Sequence, residues 1–136
     1  MNLAEKLMQI DKGDFNKEKR KEITSKMLSD LFGEKTKITI QSVSPQTLLE
    51  LSESGLDSEG NPIIRKTLET NSLIAAAAIV EPNLKDEELL KHLGVATPAM
   101  AALKLLKGEV NMVAAEVNKM AGFGISTEEI DEEIKN

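Results

Sequence analysis

The sequence predicts a mainly helical α+β fold, a single small helical domain with a minor β-hairpin near residues 21–43. With 136 residues the chain can bury one modest core. Its aromatic side chains are Phe15, Phe32 and Phe123 alone, so Leu, Ile, Val, Ala and Met must fill that core, which suits packed helices. Helix-start signals recur along the chain, whereas the stretch 35–43 alternates apolar and polar residues as a strand does.

The N-terminal segment, residues 1–20, is predicted to form a short amphipathic helix, because Leu3, Leu7 and Ile10 recur at helical spacing. Gly13 ends this pattern. We take this segment as separate from the helical domain of residues 21–125.

Residues 21–28 allow two interpretations. They form either a helix whose face carries Ile23, Met27, Leu28 and Leu31, or a strand paired with residues 35–43. The strand is the favoured interpretation.

Local start and stop signals predict two helices and a connecting loop in the middle of the chain. Ser44 followed by proline begins a helix over residues 45–55. Residues 55–62 carry turn residues and are predicted to be a flexible loop. Residues 63–80 become apolar nearly all round, which predicts a buried helix that Pro82 ends.

The C-terminal half repeats these signals. Asp86 is placed to cap a helix that Gly94 ends, and Thr97 with proline starts the next one. Gly108 is expected to kink or divide the following long helix. Glycines of the sequence GFG at 122–124 are expected to cap it, with Phe123 folding back as an apolar plug. A short acidic helix in the tail, residues 126–136, is predicted to follow.

One apolar stripe is the candidate partner-binding site. Its members recur every three or four residues along the last two long helices: Leu103, Leu106, Val110, Val113, Val117 and Met120. Each is also explained by ordinary core packing, since such residues are usually buried.

The composition of the chain argues against several classes of function. The formal charge of -6, with acids crowded near the C-terminus, disfavours binding to nucleic acid. Without cysteine the chain has neither disulfides nor thiolate metal sites. The apolar stretch 73–80 is far shorter than the roughly 20 residues that cross a membrane. We expect a soluble cytoplasmic protein without cofactor or metal.

No combination of residues in the sequence fits a catalytic site. His92 has no second histidine or cysteine to help it bind a metal, and no orienting partner for acid–base chemistry is evident. Asp86, Glu87 and Glu88 lack the pattern of a calcium loop and suit a first helical turn. We therefore predict that the protein is not an enzyme.

A DNA-binding helix-turn-helix over residues 86–107 is the main alternative, because helix, glycine-containing turn and second helix have suitable lengths. The second helix begins TPAMAA, however, and offers no Arg, Asn or Gln to read base edges. A structural tail or tail-completion subunit is a third possibility.

Residues 79–124, "IVEPNLKDEELLKHLGVATPAMAALKLLKGEVNMVAAEVNKMAGFG", resemble the C-terminal half of the tail assembly chaperones of long-tailed phages and PBSX-type prophages. The shared pattern is Val-x-Pro after an apolar helix, then LKDEEL, Thr-Pro, a Leu-rich helix, GE and Gly-Phe-Gly. Residues 29–45 are similar to the family's Gly turn and strand, which favours the hairpin. Lys107 departs from the family, which often has proline there.

The resemblance implies a chaperone that binds the tape measure protein and promotes tail tube assembly in the host cytoplasm, and that is absent from the mature virion. It also implies a longer product made by frameshifting, whose extension recruits the tail tube protein. A homo-oligomer of this chain is a separate hypothesis. Codons ATA AAA AAC for Ile134, Lys135 and Asn136 would contain a slippery heptamer, so we hypothesise a frameshift site there.

Overall fold

The structure of the protein, a computed structural model, describes residues 1–124 and 126–135. Asn136, part of the frameshift hypothesis, lies outside the described residues. The helical α+β fold class is confirmed: the described residues form mostly helices together with a small antiparallel sheet.

The sheet has three strands in the order β1-β2-β3 among the described residues: β1 Arg20–Thr24, β2 Lys37–Gln41 and β3 Ile79–Glu81. The antiparallel pairing predicted near residues 21–43 is confirmed, and Ile23 lies opposite Ile38. The connection between β1 and β2 is a helix, α2 (Lys26–Phe32), so the strand ends at Thr24 and the helical interpretation holds for the rest. The helix predicted over residues 63–80 is wrong at its end: Ile79 and Val80 belong to strand β3, which pairs with β2.

Helix starts follow the predicted side-chain caps. The bounds are α3 Pro45–Ser52, α5 Glu87–Leu93 and α6 Pro98–Leu106. Ser44, Asp86 and Thr97 each accept a backbone N–H of the first turn of the helix that follows. These bonds satisfy amides that have no partner within the helix.

A turn and two 3-10 segments connect α3 to the next long helix. The 3-10 segments are Glu53–Gly55 and Ile64–Lys66. Between them, Leu56 bridges to Pro62, and the Asp57 carboxylate accepts the N–H groups of Glu59 and Asn61. The flexibility expected for residues 55–62 stays a prediction.

The core lies where α4 (Thr67–Ala78) meets α6 and α7 (Glu109–Met120). Small side chains occupy this junction: Ala75, Ala78, Ala101, Ala102 and Ala114 are all buried. Because alanine lets helix axes come close together, the core is filled by alanine methyls and branched aliphatic groups without an aromatic ring.

α6 and α7 are separate helices, as the glycine predicted. The break is at Lys107, whose backbone φ of 52° and ψ of -131° lie in a region that favours glycine. Gly108 then precedes the first turn of α7. Proline, with φ near -65°, could not adopt the conformation of Lys107.

The two ends of the chain pack least. The predicted N-terminal helix is α1 (Leu3–Met8), followed by a 3-10 turn at Lys12–Asn16, and none of these residues is buried. The predicted acidic helix is α8 (Thr127–Lys135).

Glycine ends α7 as predicted. Gly122, with φ of 95°, donates its N–H to Lys119, and the N–H of Phe123 donates to the Asn118 carbonyl, which is a Schellman cap. The Phe123 side chain is 41% exposed, however, so the expectation of a buried plug is wrong.

Candidate partner-binding groove

The structure places most of the predicted stripe inside the protein. Leu106, Val110, Val113 and Val117 are buried in the core, whereas Leu103 and Met120 are half-buried and pack against it. Partner binding by these six residues stays a prediction. For the four buried side chains, it would require the domain to open.

An apolar groove of about 260 Å³ lies between α2, α5 and α6. We call it the α2 groove. It is lined by Leu28, Leu31, Phe32, Thr36, Lys37, Glu81, Pro82, Leu89 and Leu105. Leu31 and Phe32 are 70% and 63% exposed, although large apolar side chains usually avoid water. Apolar side chains gathered at a concave surface make the α2 groove the candidate interaction site.

Helical geometry explains why α2 reaches both the core and the groove. Leu28 is buried, and Leu31 and Phe32 follow it by three and four residues, so all three share one side of the helix. Gly33, with φ of 71°, ends the helix directly after Phe32. The apolar face therefore begins in the core and ends at the surface.

A carboxylate from α7 holds the N-terminus of α2. Glu109 accepts the N–H of Lys26 at 2.8 Å, the N–H of Met27 at 3.1 Å and the hydroxyl of Ser25 at 2.8 Å. Ser25 is buried and also accepts the N–H of Leu28. Negative charge is favourable at a helix N-terminus, where amides point outward. This contact fixes α2, and with it the position of the groove wall.

The charges near the groove are mixed. Lys37 and Glu81 both line it, and Lys37 pairs with Glu22 at 3.5 Å. On the exposed side of α2, the carboxylate of Asp30 accepts a hydrogen bond from Lys26 at 2.7 Å, and this bond together with the charge attraction raises the pKa of Lys26. Apolar contact therefore dominates the character of the α2 groove.

The described residues contain no group of three or more His, Asp or Glu side chains that could hold a metal ion. His92 lies exposed on α5. Asp86, Glu87 and Glu88 are at the start of the same helix, where Asp86 is the cap.

Within residues 1–124 and 126–135, no single helix is long and apolar enough to cross a membrane. The bent pair α5 and α6, which meet at 52°, passes on length and composition only. α6 buries Ala101, Ala102 and Leu106 in the core, which accounts for its apolar composition.

The predicted helix-turn-helix alternative corresponds to α5 and α6. Their 52° bend is smaller than the roughly 90–120° of that motif. α6 buries Ala101, Ala102 and Leu106, and its exposed residues Met100 and Lys104 include none of the Arg, Asn or Gln side chains that read base edges. The geometry thus favours a structural role for this helix pair.

The fold and the groove together define a small α+β domain with an exposed apolar groove on its surface. A family model, described as phage XkdN-like tail assembly chaperone protein, matches residues 4–135. The chain belongs to this family.

One solved structure, the crystal structure of the protein yqbn, is similar to this chain with a TM-score of 0.51. The two sequences are 18% identical, and the match covers 76% of this chain and 87% of that one. This likeness concerns the fold alone. Comparison with curated proteins gives no match.

Sequence reasoning missed both the groove and the carboxylate that positions it. Helical spacing places Leu28 and Leu31 on one face of a helix, but spacing does not tell which end of that face stays uncovered. The GE pair was recognised as a motif at residues 108–109, while the partners of Glu109 lie more than eighty residues earlier.

Proposed function

We propose that this protein is a non-enzymatic chaperone that binds the tape measure protein of a phage tail and promotes assembly of the tail tube around it. Membership of the tail assembly chaperone family supports the general role. The observation that supports direct client binding is the α2 groove, with Leu31 and Phe32 exposed at its rim.

The client segment we propose is an amphipathic helix. A groove walled by helices and lined with leucine, phenylalanine and proline side chains suits the apolar face of such a helix. Binding would shield apolar client side chains from water and so keep the client soluble. In this proposal the chaperone acts in the host cytoplasm and is absent from the finished virion. A frameshift-extended form would bring the tail tube protein.

Co-expression with the tape measure protein tests the proposal. We expect the client to stay soluble and to co-purify with the chaperone. The double variant Leu31→Ser and Phe32→Ser should lose most of the co-purified client, because two exposed groove side chains are removed. A matched control, Leu49→Ser with Ile64→Ser, changes side chains that are 62% and 89% exposed outside the groove and should bind normally.

Two results would count against client binding at this groove: an insoluble client with no complex, or equal loss in the groove and control variants. Circular dichroism of each variant shows whether the fold is kept. Detection of the chaperone in purified particles would instead favour a structural tail subunit.

A further inference from the structure

Both ends of the chain leave the folded domain at one groove. This terminal groove, of about 440 Å³, is distinct from the α2 groove. From the N-terminal side it is lined by Phe15, Lys17, Glu18 and Lys19, and from the other side by Val43, Met120 and Ala121. Phe15 is 56% exposed within it.

The N-terminal side of the terminal groove is basic. Residues 12–21 contain five cations, namely Lys12, Lys17, Lys19, Arg20 and Lys21, and two anions, Asp14 and Glu18, for a net charge of +3. Of these charged residues Lys17, Glu18 and Lys19 line the groove itself, whereas Lys21 is paired with Glu116 at 2.8 Å. An apolar ring beside two lysines and one glutamate suits an acidic amphipathic segment.

Helix α8 has the complementary character. Residues 127–135 contain five carboxylates and one lysine, for a net charge of -4. Ile130 and Ile134 are spaced by four residues on one side of this helix and are 42% and 78% exposed. A helix of nine residues is marginal alone, so an apolar partner for these isoleucines would stabilise it.

Within one chain, helix α8 does not contribute to the lining of the terminal groove. The cap at Gly122 turns the chain after α7, and α8 forms a separate surface depression with Lys119. The terminal groove is thus lined without any residue of its own α8.

We propose that the terminal groove binds the α8 helix of a second copy of this chain. Ile130 and Ile134 pack against Phe15 and Met120, and the acidic side of α8 faces Lys17 and Lys19. Because each copy has one groove and one α8, two copies exchange helices and close a symmetric dimer. This inference does not depend on the identity of the client.

Sedimentation velocity of the full chain tests the dimer. We expect a concentration-dependent dimer at about 0.05 M NaCl that weakens at about 0.5 M NaCl, since salt screens exposed charges. The variant Ile130→Ser with Ile134→Ser should weaken dimerisation roughly tenfold or more, because its two apolar contacts are lost. Both positions are exposed, so the fold is kept.

A charge exchange makes the test specific. Variant one carries Lys17→Glu and Lys19→Glu, and variant two carries Glu128→Lys and Glu129→Lys. Each should dimerise much more weakly alone: in variant one the acidic groove repels the native acidic helix, and in variant two α8 has a net charge of zero and no longer attracts the basic groove. Mixed, they should form a heterodimer, since each altered groove meets an altered helix and each native groove meets a native helix.

Three results would overturn the proposal. The first is a wild-type chain that stays monomeric at all concentrations and salts. The second is a dimer unaffected by both the isoleucine and the charge variants, which would place the contact on another surface. The third is a monomer in which α8 cross-links to its own terminal groove.

Discussion

The hydroxyl of Ser25 donates a hydrogen bond of 2.8 Å to the carboxylate of Glu109, a residue 84 positions later in the chain. The same carboxylate accepts two backbone amides from the first turn of α2. One side chain of α7 therefore caps a helix that it does not belong to. Through this contact the packed helices of the core determine where α2, and the groove beside it, is held.

The variant Glu109→Gln should lower the free energy of unfolding by about 1–3 kcal/mol, because the negative charge that strengthens the bonds to the buried Ser25, the half-buried Met27 and the exposed Lys26 is lost. Glutamine keeps one acceptor oxygen, so the donors that contact the other carboxylate oxygen face an amide nitrogen that cannot accept them. Urea denaturation measures the change. Glu116→Gln on the same helix is the control: Glu116 pairs with a half-exposed lysine, so its loss should cost about 0–1 kcal/mol. Equal costs for both variants would contradict the capping role.

Lys107→Gly should raise the free energy of unfolding by about 1 kcal/mol, since a positive φ strains lysine but not glycine. The measurement is the denaturation midpoint at constant m-value. Lys119→Gly, in the last turns of α7, is the matched control and should destabilise by up to about 1 kcal/mol. If both glycine variants destabilise alike, the strain at Lys107 is negligible.

Ala75→Leu should destabilise the protein by about 1–3 kcal/mol, because Ala75 is fully buried where α4 meets α6 and α7 and the larger side chain overpacks the junction. Ala77→Leu places the same side chain two residues away on an exposed position of α4 and should be nearly neutral. Thermal unfolding of both variants measures the difference. Similar melting temperatures would mean that the helices can separate without cost.

Gly55→Ala should destabilise the protein, because the added Cβ would overlap the hydroxyl oxygen of Thr70 on α4. Removing that oxygen relieves the overlap, as the Thr70 Cβ lies 3.5 Å from the new methyl position, which is ordinary contact. We therefore expect Thr70→Ala to rescue part of the loss. A double-mutant cycle should give a coupling energy of about 0.5 kcal/mol or more, and strict additivity would refute the contact.

The predicted elements that the structure confirms depend on local chemistry. Ser44, Asp86 and Thr97 bond to amides two or three residues away, so their sequence context contains the whole interaction. The third strand was missed because Ile79 and Val80 continue an apolar helical pattern, and only pairing with β2 makes them extended.

The residues of the candidate site were harder to predict than the helix caps, because exposure depends on contacts between distant parts of the chain. Val113 and Leu31 are both apolar residues at helical spacing, yet one is fully buried and the other 70% exposed. Periodicity identifies a face of a helix, whereas burial depends on which neighbouring helix covers that face.

The starts of α3, α5 and α6 and the aliphatic character of the core follow from the sequence, because side-chain caps act within one turn and composition limits what can be buried. The tertiary structure alone decided that the valines of α7 face inward, that Leu31 and Phe32 stay exposed and that Glu109 caps α2. These depend on contacts between residues far apart in the chain, whose meeting is set by how the helices pack around the small alanine side chains of the core.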